Sequence, residues 1–358
     1  MILFINPYPT INKFGPAIHA SEFIDYVRTN KKERIYELSF FEGNKGILKK
    51  NGKLKTLFTS LLFILPTQAA RYFSLSNIIV IKKIINEIKP STLYFFGFSY
   101  IAFYVKFFKD QNIVITMPDA QSKRYFQALK KRKKIKIYLQ FILYRFLEIR
   151  TLKYFKTVHL VAKDDMDYFQ LENARYIPFQ LSQKSSCSIN IKKNTLIILG
   201  PVLGSVQLDL ALKLSSVNFL DKIVLHDPNK VYNKPDVLIK INKTKIQLIN
   251  WIDNYQQFVS NFHYIILLDN DNSTGMSTRT TQLIYSGNIV FGNNIAYRNI
   301  NKDGVFDEYI FEDHNDLILK LKNIKIKSDI RPSKDKVDLL HEKMNYKKIM
   351  KEQTNLLN

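Results

Sequence analysis

Short apolar runs alternate with longer amphipathic stretches along this chain, and the alternation predicts an α/β protein. ILFINPY (2–8) is an apolar run ended by proline, and a loop containing Gly15 and Pro16 follows it. Residues 17–29 place Ile18, Phe23, Tyr26 and Val27 near one helical face. Pro16 stands just before that helix, where its missing N–H is no loss. RIYELSF (34–40), TLYFFGF (92–98), NIVITM (112–117) and TVHLVA (157–162) read as further strands, with helical stretches at 76–89 and 135–153. Strands alternating with helices imply a mostly parallel sheet covered on both faces.

The rhythm is interrupted once. Residues 180–194 are polar, rich in Ser and Lys and without periodicity, so 181–194 is read as a linker. Strand patterns then resume at 195–200, 222–227, 246–251, 263–269 and 288–292, and a charged helical stretch closes the chain. The expected organisation is an N-terminal Rossmann-like domain over 1–180 and a second α/β domain over 195–333. A C-terminal helix within 334–358 is expected to pack back toward the first domain.

A chain of 358 residues suits two domains of this kind. Its single cysteine, Cys187, cannot form an internal disulfide, which fits a reducing cytoplasm and argues against structural zinc. The start, MILFINP, lacks the basic flank and cleavage site of a secretory signal. Apolar segments 57–65 and 93–108 are cut by Pro66 and Lys106, short of the roughly 20 residues a bilayer span needs.

Charge changes the picture more. With 54 Lys+Arg against 31 Asp+Glu the formal charge is +23, which attracts nucleic acid, acidic lipid or phosphorylated substrates alike. A lysine-rich compositional bias, visible also in the abundant Ile and Asn, is a second source of the excess. Residues 130–156 hold ten basic residues and one acid, interleaved with apolar ones at helical spacing. That pattern fits either an anionic membrane surface or a core helix with a solvated basic face. Residues 53–73 form a second such candidate.

The chemistry concentrates late in the chain. Ser273, Thr274, Gly275, Met276 and Ser277 lead into a helical stretch beginning TRTTQLIY. Such a loop offers free N–H groups, the positive end of a helix dipole and hydroxyls to an anion. Arg279 in the first turn opposes that dipole, unless an anion sits there for its guanidinium to grip. The alternative is a pair with a nearby carboxylate. Gln282 lies one turn further on, placed for a ribose or sugar hydroxyl, or simply exposed. His226, Asp227 and Trp251 end or follow second-domain strands where a nucleotide would lie, although core packing is the other use of Trp251. Asp269-Asn270-Asp271 has the form of a metal-binding pair but reads as a strand-terminating turn, and no metal is expected.

Two segments resemble glycosyltransferase family 4. One is 145–179, a helix, a strand, an Asp-containing helix start and then Ile177-Pro178. The other is 264–292, a strand, a Gly-containing loop, a helix closed by Gly287 and a further strand. Thr274-Gly275 and Arg279 fall where the family carries Thr/Ser-Gly and Lys/Arg. This sequence departs by having Gln282 in place of the donor-binding glutamate and Phe179-Gln180 in place of Asn-Gly. ILGPVLGSVQLD also lacks the Arg and Lys-Gly that contact phosphate.

The resemblance implies a GT-B fold, two Rossmann-like α/β domains with parallel sheets facing across a cleft, and a glycosyltransferase using a nucleotide-sugar donor. It implies that the Gly15 loop and His19 face the cleft. Asp119 would match the aspartate of a His-Asp step whose histidine is here Met117-Pro118, and would orient or deprotonate an acceptor hydroxyl. Retention of configuration, without metal or other cofactor, is implied as well. With the basic helices in the acceptor domain, the expectation is a glycan or polyprenyl-linked acceptor at the inner face of the cytoplasmic membrane, in capsule or O-antigen assembly. A nucleic-acid-binding protein and a catalytically silent GT-B partner subunit are the rival readings; no RNA-binding module is recognisable, so no nucleic-acid partner is expected.

Overall fold

The computed structural model describes residues 1–7, 15–41, 47–179, 192–199, 205–250, 252, 258–259, 261–269, 277–285, 288–298, 300–301, 304–326 and 345–357. The described residues up to Phe179 and from Tyr346 onward form one unit, and those between form another.

The first unit is built on β1 (Ile2–Asn6), β2 (Ile35–Phe41), β3 (Leu48–Lys49), β4 (Thr92–Phe96), β5 (Ile113–Met117), β6 (Thr157–Leu160) and β7 (Ala174–Tyr176). They form a sheet in the order β3-β2-β1-β4-β5-β6-β7, with every pairing parallel. β1, β4 and β5 are buried at every position, as their unbroken apolar runs require of strands covered on both faces. Chain order reverses between β1 and β4, so a crevice opens at their carboxyl ends, where open α/β sheets bind ligands. Gly97 makes the close approach there possible: a Cβ on it would lie 2.7 Å from Cγ of Pro7.

Around this sheet lie α1 (Gly15–Tyr26), α2 (Lys53–Phe63), α3 (Thr67–Tyr72), α4 (Leu75–Ile88), α5 (Gln121–Lys131), α6 (Ile135–Thr151) and α7 (Lys163–Phe169). The predicted strand 92–98 stops at Phe96, and 99–107 is a 3₁₀ segment buried from Ser99 to Val105. Ser74 caps α4 by accepting the N–H of Asn77 at 3.2 Å.

The second unit contains β8 (Lys192–Leu199), α8 (Ser205–Ser215), β9 (Lys222–His226), α9 (Pro235–Asn242) and β10 (Ile246–Ile249). It continues with β11 (Phe262–Leu267), α10 (Thr278–Tyr285), β12 (Ile289–Gly292) and α11 (His314–Ile326). Its sheet runs β10-β9-β8-β11-β12, again all parallel, with the reversal between β8 and β11. β8 begins at Lys192, so the last residues assigned to the linker are strand. Cys187 and the rest of 181–191 lie outside the described residues.

The last helix, α12 (Tyr346–Asn355), belongs to the first unit. Met350 is buried in a cluster with Ile2, Phe4 and Phe23. The carbonyl of Leu357 accepts hydrogen bonds from Thr92 Oγ1 at 2.9 Å and Asn112 Nδ2 at 3.2 Å. Of the predicted helical stretch 334–357, residues 334–344 lie outside the described residues.

Two helices of the first unit are amphipathic in the inverse sense. On α2, Thr56 and Thr59 face inward, while Leu54, Leu57, Phe58, Leu61 and Leu62 are 57–76% exposed. On α6, Tyr144, Leu147, Glu148 and Thr151 are buried, and Ile135, Tyr138, Leu139, Ile142, Phe146 and Ile149 form an outward stripe. The two are linked through α3, whose Thr67 hydroxyl accepts from Gln140 of α6 at 3.4 Å. A patch of this extent is unusual on a protein that meets only water. No helix among the described residues is long and apolar enough to cross a membrane.

Candidate functional site

In the second unit the candidate ligand edge is the carboxyl end of the sheet. Asp269 follows β11 and is 8% exposed. Its main chain is held on both sides by Asn293, which donates from Nδ2 to the Asp269 carbonyl at 2.8 Å and accepts the Asp269 N–H at 3.3 Å. Asn293 Oδ1 also accepts from Ala296 N at 3.0 Å, which folds the segment after β12 into a turn. Gly292 permits that turn: a Cβ there would sit 2.9 Å from the Cβ of Ala296.

Against this support lies α10. Thr280 and Thr281 are buried; Thr280 donates to the Ala296 carbonyl at 2.7 Å and meets the Ser277 hydroxyl at 2.8 Å, while Thr281 donates to the Ser277 carbonyl. Ser277 thus helps to fix the helix start. Arg279, between them, projects its guanidinium to Asp269, Nη2 to Oδ1 at 2.9 Å, and stays 41% exposed. The carboxylate pair, one of the two sequence readings of Arg279, is formed. Gln282 is half-buried on the same helix. His226 ends β9, and its pKa is lowered by burial first and by the Arg279 cation second, with Asp227 opposing. Near neutral pH it is therefore an uncharged imidazole within the field of Arg279. Asp227 has a structural task instead: fully buried, it accepts from the N–H groups of Val231 and Tyr232 at 2.9 and 2.8 Å.

Ser273, Thr274, Gly275, Met276 and Trp251 lie outside the described residues, as do Asn270 and Asp271. Among the described residues no cluster of His, Cys, Asp and Glu suited to a metal ion is present.

In the first unit, Gly15 begins α1, and His19 on that helix is 3% exposed. Its ring stacks on Phe179, centroids 4.0 Å apart and planes at 9°. Burial lowers its pKa to about 3, so it is neutral, with Nδ1 3.8 Å from the Glu22 carboxylate. Phe179, the departure from the family pattern, is thus the surface against which His19 packs.

Asp119 follows β5 and is half-buried. Its neighbour Ala120 donates N–H to buried Asp165 at 3.2 Å, and Lys123 pairs with the same carboxylate at 2.8 Å. Asp165 on α7 therefore anchors the segment that carries Asp119. Two further buried groups escaped the sequence reading. Glu148 on α6 accepts from Ser99 Oγ at 2.8 Å and Ser122 N at 3.3 Å, and burial raises its pKa to about 7 against the lowering effect of those bonds. His159 closes a chain across β4, β5 and β6: Tyr94 OH to Thr116 Oγ1 at 2.6 Å, Thr116 to His159 Nδ1 at 2.9 Å, and His159 Nε2 to the Ile177 carbonyl at 2.7 Å. Only a protonated Nε2 can meet a carbonyl, so Nδ1 accepts from Thr116. Burial holds this imidazole neutral, with a pKa of about 4.

Two parallel sheets that each reverse order beside their first strand define a pair of Rossmann-like units. Whole-chain comparison gives the finer class: the protein has the GT-B fold of glycosyltransferases. A sucrose-phosphate synthase from Thermosynechococcus elongatus superposes with a TM-score of 0.67 at 10% identity, covering 99% of this chain and 98% of its own. A glycosyltransferase from Rickettsia africae gives 0.61 at 12% identity, covering 99% and 97%. A Phytolacca americana enzyme, UGT2, seen with UDP-2-fluoro-glucose and pterostilbene, gives 0.57 at 9% identity, covering 99% of each chain. No protein-family model matches the sequence, and no curated protein matches it.

Proposed function

We propose that this protein transfers a sugar from a nucleotide-sugar donor to a glycan or lipid-linked acceptor at the cytoplasmic face of a membrane, in the assembly of a surface polysaccharide. The observation that carries the reading is the pairing of Arg279 with Asp269 beside neutral His226, at the carboxyl end of the second sheet. The departing nucleotide carries a diphosphate, and transfer is fastest where fixed cations and N–H dipoles already face the charge that develops. Arg279 exchanges its carboxylate for that diphosphate, the loop 273–277 and the start of α10 supply N–H groups, and His226 and Gln282 hold hydroxyls. With a guanidinium in this role the reaction needs no divalent metal. Retention of configuration follows from the resemblance to family 4.

The first unit takes the acceptor. Asp119, anchored through Asp165, orients or deprotonates the acceptor hydroxyl, and neutral His19 lies on the helix after the Gly15 loop. The outward apolar faces of α2 and α6, flanked by lysines 53, 55, 130, 131, 133, 134 and 136, support a peripheral seat on an anionic membrane. The test is release of free nucleoside diphosphate from a panel of nucleotide-sugars in the presence of lipid extract. Release with one donor, dependent on the extract, is the expected result; no release with any donor, by a folded protein that binds RNA, contradicts it.

A further inference from the structure

We propose that Lys106, Lys109, Arg150 and Lys153 form a binding site for the doubly charged phosphate headgroup of an acidic lipid, at the end of the outward apolar stripe of α6. The site rests on the membrane-seated reading given above and is independent of sugar transfer.

Two stretches far apart in sequence build it. Lys106 lies in the last turn of the 3₁₀ segment 99–107 and Lys109 follows, while Arg150 lies in the last turn of α6 and Lys153 just beyond. The 3₁₀ segment packs against α6, and ring contacts fix where the charges stand. The ammoniums of Lys109 and Lys153 are both over Tyr154, 4.7 and 5.3 Å from its centroid. The guanidinium of Arg150 is 4.5 Å from the Phe146 centroid, and Lys106 Nζ is 5.2 Å from that of Phe103.

No carboxylate answers these charges. Among the described residues none of the four side chains is in an ion pair. Glu148, on the same helix, is turned inward to Ser99 and Ser122, and Asp110 is exposed and in no ion pair either. The four are therefore a like-charge cluster. Burial first, and then Arg150, Lys109 and Lys153, lower the pKa of Lys106, and no acid opposes them. The dipole of α6 accounts for one cation at its carboxyl end, not for four. A phosphomonoester accounts for the rest, since it carries about −1.5 to −2 charges near neutral pH and three acceptor oxygens. A guanidinium with ammoniums beside it is the donor set that such a group takes.

The tail follows from what adjoins the cations. Phe146, which carries Arg150, and Ile149 belong to the exposed stripe of α6, and Tyr154 is 40% exposed as well. Cations held over aromatic rings beside an aliphatic stripe suit a helix lying in the headgroup layer of a bilayer. Lysines 133, 134 and 136 stand at the other end of the same stripe, so headgroups meet α6 at both ends and the helix lies along the membrane plane. A nucleic acid has no use for that stripe, and a neutral lipid has none for the cations.

The test is flotation of the full-length protein with phosphatidylcholine vesicles that are plain, carry phosphatidate, or carry phosphatidylglycerol. The phosphatidylglycerol is present at about twice the mole fraction, which matches the surface charge. Binding about tenfold tighter to phosphatidate is expected, roughly the value of one strong charge-assisted contact. K109A with K153A should reduce it to the phosphatidylglycerol level. Both side chains are exposed, so little change in melting temperature is expected of that variant. K133A with K134A removes the same charge elsewhere and should weaken both kinds of binding equally, keeping the preference. Equal binding to the two charged vesicles overturns the proposal, as does a phosphatidate preference that survives K109A with K153A. Release from phosphatidate by glycerol 3-phosphate at the concentration of the lipid overturns the lipid assignment in favour of a free phosphomonoester. Single-stranded RNA that binds tighter than either vesicle, through Lys109 and Lys153, overturns it in favour of a nucleic acid. Stabilisation by nucleotide-sugars, read on the same samples, separates the claims. Donor binding without any flotation removes the membrane seat and this site but leaves the transferase reading, and equal flotation with both charged lipids removes only the site.

Discussion

The guanidinium of Arg279 lies 2.9 Å from the carboxylate of Asp269, with the aspartate almost fully buried and the arginine half open to solvent. On the proposed reading, a diphosphate arriving at α10 meets a cation already held in place, and must replace its partner. Arg279→Ala should therefore do two separable things. It leaves a buried carboxylate without its cation, which destabilises by about 1 kcal/mol, a partly exposed pair being screened by water. It also removes the proposed phosphate contact. Adding Asp269→Asn to Arg279→Ala should restore the melting temperature but not nucleotide binding. Recovery of both would make the pair purely structural.

His226 gives the site a pH dependence of known sign. Burial and Arg279 hold its pKa below the ordinary imidazole value, and a bound diphosphate would push it up again. Binding then takes up a proton, so donor affinity should rise as pH falls through the range below neutrality. His226→Gln should flatten that dependence. Titration calorimetry in buffers of different ionisation enthalpy measures the proton directly.

Buried groups in the first unit set opposing trends in stability. His19 and His159 titrate near 6.5 when unfolded but at about 3 and about 4 when folded. The unfolded chain thus binds more protons between these values, and stability is lost as pH falls below about 6.5. Glu148 works the other way, with a folded pKa of about 7 against 4.5 unfolded, so stability is lost as pH rises from about 4.5 through about 7. Two groups against one give a net rise toward pH 6.5 of about 1.4 kcal/mol per pH unit, and then a decline. Glu148→Gln keeps an acceptor toward Ser99 and Ser122, and should abolish the decline above pH 6.5 in a melting series.

Gly97→Ala tests the crevice of the first sheet. Its Cβ would fall 2.7 and 2.8 Å from the Pro7 ring, so β1 and β4 must part at their carboxyl ends. A loss of roughly 1–3 kcal/mol is expected, read by urea denaturation.

The strands were legible because parallel strands are buried on both faces: ILFIN, TLYFF and IVITM needed no partner to be recognised. The sequence also held both readings of Arg279 and, from the loop before α10, favoured the phosphate one; the partner Asp269 was not legible, since it is ten residues away and meets the guanidinium only through the fold. Asn293 and Thr280 were missed because their work is done on backbone groups across a turn. Glu148 left one trace, as the single acid among ten basic residues in 130–156; its burial depends on Ser99 and Ser122, 49 and 26 residues away. The apolar periodicity of α2 and α6 was visible, yet periodicity cannot say which face turns outward.

The most direct measurement is thermal stability against UDP-, GDP-, ADP-, CMP- and TDP-linked sugars, with Arg279→Ala alongside. A donor present at 100 times its Kd stabilises the folded state by about 2.7 kcal/mol. A shift with one nucleotide, lost in the variant, is the predicted result; a well-folded protein that no donor stabilises would contradict the transferase account.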